Sequence, residues 1–494
     1  MILTHLPALQ IVLPLLAAPL CVVVRRTSAV YAIAFAASWA AFAIAILLLG
    51  QVLAAPAGFV SYELGGWAPP WGIEYRVDPV NAYVLLIVAA IGAVVVTFAG
   101  PSVAREIPEP KRYLFYTSYL LCLTGLLGVT ITGDAFNVFV FLEISSLSSY
   151  ILISVGKDRR ALTAAYRYLV FGTIGATFYL IGVGLLYQVT GTLNMADLAA
   201  RIPPLTGNRT VHVAFAFIAV GLAMKAALFP LHVWLPNAYA YAPSVVSAFL
   251  AATATKVSIY VLLRVYLTIF GPEFSIGAMG INYLLMPFAL AAMFVGSAVA
   301  IFQPDIKRML AYSSIAQIGY MVLGFSIATS LGVTAGILHL FNHALMKGAL
   351  FLAMGCVFYR TGGVTLDAMA GLARRMPWTM AAFVGGGLSI IGVPLTSGFI
   401  SKWYLVTAAL ERGWWWMAAL VLLSSLLAIV YVWRVVEAAY FRPAPAGAAE
   451  GEAPLAMLIP TWALVAANVY FGLDTRVSVG VAERAAAFLM GGGP

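Results

Sequence analysis

Apolar runs of about 20 residues follow one another along this chain from end to end, parted only by short charged or Gly/Pro-rich breaks. In helical form a run of that length crosses a hydrocarbon core of roughly 30 Å. Inside a bilayer the backbone must satisfy its own hydrogen bonds, so only helices and closed barrels span it. A membrane barrel needs short segments of alternating hydrophobicity, and these are absent. With 63% hydrophobic and 9% charged residues over 494 positions, the chain lacks the polar skin of a soluble domain. The sequence predicts an all-α polytopic protein in the lipid bilayer of a cell (plasma or inner) membrane.

About 14 spans are expected, near 4–24, 28–52, 78–100, 113–131, 134–154, 163–188, 211–230, 242–269, 281–301, 308–328, 331–358, 377–410, 414–440 and 455–473. Spans seven and twelve contain Pro230 and Pro394. Proline removes a backbone donor and clashes with the preceding turn, so each is expected to be a broken helix. The first apolar run has its charges, Arg25 and Arg26, after it rather than before it. It reads as a retained span, not a secretory signal.

Basic loop residues set orientation. Fourteen lie after odd-numbered spans, including Lys111, Lys157, Lys307 and Arg360. Six lie after even-numbered spans or in the tail: Arg76, Arg201, Arg209, Arg412, Arg476 and Arg484. Both termini are expected to face outward (the periplasmic side). The longest outward loops hold "GGWAPPWG" and "IPPLTGN" and read as ordered caps. The net charge of +9 thus belongs to the membrane loops rather than to a nucleic-acid surface. Cys21, Cys122 and Cys356 lie far apart and form no CxxC, iron–sulfur or haem-attachment spacing. No dinucleotide or P-loop signature occurs. No cofactor and no metal site is expected, and whether the chain belongs to an enzyme is left open.

Seven cations fall inside spans: Arg167, Lys225, Lys256, Arg264, Lys347, Lys402 and Arg434. Acids there are few, namely Glu143, Glu437 and, at a helix start, Asp134. Each such charge costs at least ~2.5–3.5 kcal/mol at the bilayer centre on insertion scales, so it needs a functional or structural reason. Near span ends a long side chain can snorkel to the interface, an equal alternative for Arg264 and Arg434. Lys225, Lys256 and Lys402 sit deeper. Glu143, about nine residues inside "GDAFNVFVFLEISSLSSY", is too short to snorkel and must be protonated or paired with a buried cation. A lysine desolvated without a carboxylate is pushed towards its neutral form, and can then give up and regain a proton. The excess of cations over carboxylates favours titrating lysines over locked ion pairs.

His339, His343 and Lys347 in "GILHLFNHALMKGALF" are spaced i, i+4, i+8 and share a helical face. A His pair so spaced could bind metal, but no third ligand stands nearby. A packed structural stripe is a second reading. A proton relay is the preferred one. The broken spans, each with a lysine, are five spans apart. An odd-numbered unit copied along a chain re-enters the membrane inverted, the layout of inverted-repeat transporters. The expected organisation is a three-helix segment (1–110), a five-helix repeat of helices 4–8 (111–270), a second of helices 9–13 (271–441), and a last helix with a short outward tail (442–494).

The segments "GDAFNVFVFLEISSLSSYIL", "AAYRYLVFGTIGATFYLIG", "MKAALFPLHVWLPNAYAYAPSVVSAFLAATATKVSIYVLLR", "DIKRMLAYSSIAQIGYM", "HLFNHALMKGALF" and "PLTSGFISKW" carry a resemblance over nearly the whole chain. It resembles the antiporter-like subunits shared by Mrp-type multisubunit cation/proton antiporters, respiratory complex I and membrane-bound hydrogenases. The resemblance implies 14 helices, two inverted five-helix units and a charged axis across the membrane plane. By motif match, Glu143 looks like the helix-five glutamate and Lys225 like the lysine of broken helix seven. Lys256 resembles the connecting lysine of helix eight, Lys402 the exit-side lysine of helix twelve, and His339, His343 and Lys347 the central relay. Arg167 stands where the family usually has a lysine; an arginine hardly releases a proton, so it is expected to tune Glu143. With about 20 residues after its last span, the sequence is expected to lack the long lateral helix of the largest members. Lys402 disfavours the complex I type that has glutamate there, and "YLIGVGLLYQVTGTLNMADLA" looks most like the D-type member of Mrp antiporters.

The expected function is a proton-translocating subunit of a hetero-oligomeric membrane complex, exchanging H⁺ for Na⁺ or another monovalent cation. Asp134, Arg434 and Glu437 are expected to modulate the axis. His232, past the first break, is either an interface anchor or a branch of the path. A complex I-like or hydrogenase pump is the alternative reading. A stand-alone solute transporter suits the broken helices but not the axial lysines, and a scaffold gives no reason to keep seven buried cations.

Overall fold

A computed structural model describes residues 2–445 and 451–491; the expected last segment, 442–494, thus lies partly outside the described residues. The chain enters through α1 (Leu6–Val24) and α2 (Thr27–Ala54). The first long loop then forms a small antiparallel hairpin, β1 (Val60–Glu63) with β2 (Glu74–Val77), pairing Val60 with Val77 and Glu63 with Glu74. α3 (Pro79–Glu106) starts from a capping box: Asp78 accepts from the backbone of Val80 and Asn81, and Asn81 accepts in return from the Asp78 amide. That arrangement satisfies amides which a helix start otherwise leaves open. α4 (Arg112–Ile131), α5 (Ala135–Ser154) and α6 (Arg160–Thr190) follow. The second long loop carries α7 (Met195–Arg201). Both of these loops are therefore structured.

The seventh crossing is split. α8 (Arg209–Lys225) stops at Lys225, and a second short helix, α9 (Leu235–Tyr241), resumes after nine residues, 226–234. This corrects the expected span of 211–230: the helix ends five residues before Pro230, and its second half lies beyond the expected end of the span. Ala227 turns into the left-handed region (φ 53°) and starts the break; Pro230 then denies the following turn a donor. Trp234 closes the gap, its indole N–H donating to the carbonyl of Met224 at 3.1 Å. Its ring stacks on Tyr168 of α6 with centroids 3.9 Å apart.

α10 (Ser244–Leu263) is followed by π-helical turns at Arg264–Ile269 and Glu273–Ala278, then α11 (Ile281–Ile301), α12 (Ile306–Ser326) and α13 (Ser330–Thr361). After the short α14 (Leu372–Arg375), the twelfth crossing divides into α15 (Pro377–Ile391) and α16 (Ser397–Glu411), with Pro394 in the gap. α17 (Trp415–Phe441), α18 (Leu455–Leu473) and the amphipathic α19 (Arg476–Leu489) complete the chain. Among the described residues 12 helices are long and apolar enough to cross a membrane unaided. With the two split crossings they make 14.

The two five-helix units, α4–α10 and α11–α17, are built alike. α5 starts at Asp134, which accepts from the Asn137 amide at 2.7 Å; α12 starts at Asp305, which accepts from the Arg308 amide at 2.9 Å. Each aspartate forms an isolated β-bridge to the loop after the third helix of its unit, Asp134 to Asn194 and Asp305 to Thr365. Five crossings separate the two aspartates, so they lie on opposite membrane faces. α10 and α13 are enclosed by other helices on every side, whereas only a third of the apolar core of α1, α11 and α17 is buried. Lys256 and Lys347 lie on these two enclosed helices and Arg264 just past the end of α10, whereas Lys225 and Lys402 sit on α8 and α16.

Candidate functional site

Lys225 is the last residue of α8, where the helix dipole favours a cation. Its Nζ lies 3.1 Å from Glu143 Oε1 and donates to Ser146 Oγ at 2.7 Å. Both partners come from α5, one helical turn apart. The lysine side chain is 3% exposed and the glutamate 23%. This is a two-helix ion pair beside a helix break.

The next three lysines find no carboxylate among the described residues. Lys256, fully buried on α10, donates to the carbonyl of Ala251 and lies 3.4 Å from Thr255 Oγ1. Lys347, fully buried on α13, donates to the Leu310 carbonyl at 2.7 Å and to Ser313 Oγ, both on α12. Lys402 reaches back from α16 to the carbonyls of Ile390 and Ile391 at 2.8 and 2.9 Å, the last of α15, and to Ser425 Oγ at 3.0 Å. A helix end leaves such carbonyls unpaired, so Lys402 caps one half of the broken helix from the other. Its ammonium also lies 4.8 Å from the Tyr320 ring centroid, within cation–π range.

His339 and His343 stack one turn apart, centroids 6.1 Å and planes 10° apart. His339 faces Ser401 Oγ at 2.8 Å through Nδ1 and Gln317 Oε1 at 2.9 Å through Nε2. One ring nitrogen can accept while the other donates, which satisfies a neutral imidazole. His343 is fully buried, and neither ring nitrogen has a hydrogen-bond partner among the described residues. Lys256 acts electrostatically on His339, His343 and Lys347, and Lys402 on His339. Lys256, His339, His343, Lys347 and Lys402 therefore form one connected series from α10 to α16, with the Glu143–Lys225 pair as a separate group.

Other expected residues stand apart. Arg167 lies on the exposed face of α6, with no ion pair among the described residues. Asp134 caps the start of α5. Glu437 pairs with Arg442 at 2.9 Å, near the end of α17, rather than with Arg434. Arg264 is 5% exposed, so it does not snorkel; it pairs with Asp78 of α3 and donates to Tyr260 Oη at 3.1 Å. His232 is half-buried in the first break, stacked on Phe229, with its Nδ1 unpartnered among the described residues. The residues that sequence reasoning missed are the neutral partners: Ser146, Ser313, Gln317, Tyr320, Ser401 and Ser425. Their only sequence signal is a hydroxyl or amide inside an apolar run, which is too common to select them.

The profile of the NADH:quinone oxidoreductase/Mrp antiporter transmembrane family matches residues 132–428, the stretch that holds this whole series. The chain belongs to that family. Among its antiporter-like relatives, the N-type NADH-quinone oxidoreductase subunit of Desulforudis audaxviator is 44% identical, with 95% of this chain and 96% of that one aligned. The D-type Na(+)/H(+) antiporter subunit of Alkalihalophilus pseudofirmus is 36% identical over 71% of this chain and 70% of that one. A chain of the membrane-bound sulfane sulfur reductase, an archaeal respiratory membrane complex, superposes with a TM-score of 0.90 at 33% identity, covering 98% of each. This is an antiporter-like, multi-pass membrane subunit of a family whose members sit in multisubunit complexes. The higher identity to the N-type relative means that likeness to the D type alone does not select the antiporter reading.

Proposed function

We propose that this chain is a proton-translocating subunit of a larger membrane complex. The proton moves from the Glu143–Lys225 pair through Lys256 and the His339, His343 and Lys347 face to Lys402. The observation that carries the reading is an asymmetry. Among the described residues Lys225 has a carboxylate partner, whereas Lys256, Lys347 and Lys402 have only neutral acceptors. A cation held by neutral dipoles has little to lose on giving up its proton, whereas a locked ion pair does.

In this reading Glu143 and Lys225 form the switch. When the field at the partly exposed Glu143 changes, Lys225 gains or loses its partner and the proton moves on to Lys256. The unpartnered ring nitrogens of His343, next to the hydrogen-bonded His339, suit a group that takes up and hands on a proton. Broken backbone at both ends of the row is tolerated at membrane depth where it lines a path. Arg167, on the outer face of α6, belongs to the surface through which a neighbour could bias Glu143. The assignments of His232, Asp134, Arg434 and Glu437 as modulating groups, the four-part division of the chain, and outward-facing termini are carried in the same proposal.

Two drives fit. The full-length 44% relative supports coupling to a redox complex of the NADH-quinone oxidoreductase kind. Lys402 and the 36% relative support exchange of H⁺ for Na⁺ or another monovalent cation. Purifying the complex in mild detergent and identifying its other subunits tests the choice: iron–sulfur, flavin or nickel subunits support the first, short membrane subunits the second. Reconstituted vesicles test the path itself. Intact proton transport by Lys225→Ala or Glu143→Ala would overturn it. Reagent labelling of cysteines placed near Arg26 and Thr475 tests the orientation, with only the latter expected to react from outside.

A further inference from the structure

α18 lies outside both five-helix units, yet one face of it is fitted to the second broken helix. Asn468 Oδ1 accepts from Ser389 Oγ at 2.9 Å and from Ser397 Oγ at 3.0 Å. Ser389 belongs to α15 and Ser397 opens α16, so this buried oxygen ties the two halves across the gap, alongside the direct bond from the Gly398 amide to Ser389 Oγ at 3.2 Å. The amide cannot turn freely, because its Nδ2 donates to the Leu464 carbonyl at 2.8 Å. One turn further on, a Cβ placed on Gly472 would lie 2.5 Å from the Leu395 carbonyl oxygen, inside the gap. Two turns before Asn468, Thr461 Oγ1 meets Cys356 of α13 at 3.8 Å. Positions 461, 468 and 472 share one helical face. From the other side, Asn342 Nδ2 of α13 donates to the Ser397 carbonyl at 2.6 Å.

The residue after Ser389 is Ile390, whose carbonyl, with that of Ile391, receives the Lys402 ammonium. We propose that Asn468 is a positioning residue for Lys402: it holds the two halves of the broken helix at the separation at which that lysine reaches the carbonyls across the gap. When Lys402 gives up its proton, the neutral amine keeps two N–H donors for three acceptors, the two carbonyls and Ser425 Oγ, and loses the charge that strengthens each bond, so its tie across the gap weakens. The Asn468 bonds do not depend on that proton. They keep the acceptors in place for the next one. A helix outside the repeats thereby becomes part of the translocation machinery. The inference rests on the proton-translocation reading above.

The test uses the intact complex, reconstituted in vesicles, with proton transport followed over a range of pH. Asn468→Ala and the double variant Ser389→Ala/Ser397→Ala are expected to slow transport roughly 10- to 100-fold, the scale of a misplaced reacting group. They should also displace the pH profile of the residual transport by about half a unit, because a hydrogen-bonded site has been altered rather than merely weakened. Asn468→Asp, nearly isosteric when protonated, is expected to restore the profile. Amide exchange over 389–398 should quicken in Asn468→Ala, with no change over α8. If Asn468→Ala prevents assembly, Ser397→Ala removes one tie only and is read by the same profile. A slowed variant whose profile superimposes on the parent's, or one without faster exchange at 389–398, overturns the inference. Lys402→Ala runs alongside. If it is inactive while Asn468→Ala transports normally, the inference alone fails. If it transports normally, the translocation reading fails and takes the inference with it.

Discussion

Lys225 Nζ lies 3.1 Å from Glu143 Oε1, at the point where α8 ends and the chain breaks. No other deep lysine in the row has a carboxylate partner among the described residues. Each side of the pair depends on the other: without Glu143 the ammonium is a buried cation held by one hydroxyl, and without Lys225 the carboxylate faces an apolar setting.

Glu143→Ala is therefore expected to abolish proton transport and to destabilise the assembled complex. Removing one partner of a buried pair costs about 3–5 kcal/mol. The partial exposure of Glu143 places the expected loss at the low end. Thermal unfolding of the purified complex and proton uptake in vesicles measure the two effects separately. A Glu143→Ala/Lys225→Met double variant should recover stability but not transport.

Lys402→Arg keeps a positive charge across the second gap but substitutes a group that does not release a proton at working pH. Assembly is expected to be normal and transport lost. Lys256→Met should behave likewise, since it replaces a buried ammonium by an apolar chain of similar length. Transport at more than about a tenth of the parent rate by Lys402→Arg would remove Lys402 from the path, a tenfold change being 1.4 kcal/mol in barrier height.

Trp234→Phe retains an aromatic ring against Tyr168 but removes one of the two donors to the Met224 carbonyl, which keeps the Ala227 amide at 3.2 Å. Losing one such hydrogen bond costs about 0.5–1.5 kcal/mol, so the unfolding temperature should fall slightly and transport should slow as the Lys225 terminus loosens. Trp234→Ala loses the stacked ring as well and should be worse on both counts. Equal effects of the two substitutions would mean that the hydrogen bond alone sets the break.

Asp78→Ala strands the guanidinium of Arg264 inside the protein and is expected to cost about 3–5 kcal/mol. The paired replacement Asp78→Asn/Arg264→Met keeps the cap of α3 and should be close to neutral in stability and leave transport intact. The reason is that this ion pair ties α3 to the end of α10 and touches no member of the lysine–histidine row. Loss of transport in a stable double variant would draw the pair into the mechanism.

Fourteen crossings, two of them split, were legible in the sequence because length and hydropathy suffice to mark a helix that must cross lipid. The row of deep cations was legible for a related reason: a charge is so costly at that depth that its presence is itself a signal. Less was readable at the breaks. Proline marked them, but not that α8 stops at Lys225 or that residues 235–241 form its second half, because the stop is a left-handed turn at an alanine and the gap is closed by Trp234. α10, enclosed on all sides, shows no apolar stripe, so its neighbours could not be inferred from periodicity.

By itself, then, the sequence determined that this is a polytopic membrane chain with an axial set of ionisable side chains. Tertiary structure decided who meets whom. Glu143 and Lys225 are 82 positions apart, Arg264 and Asp78 are 186, and Asn468 stands 79 from Ser389. In a bilayer each helix satisfies its own backbone, so the spans are fixed locally. A buried charge can be satisfied only by side chains and freed carbonyls that distant helices bring to the same depth.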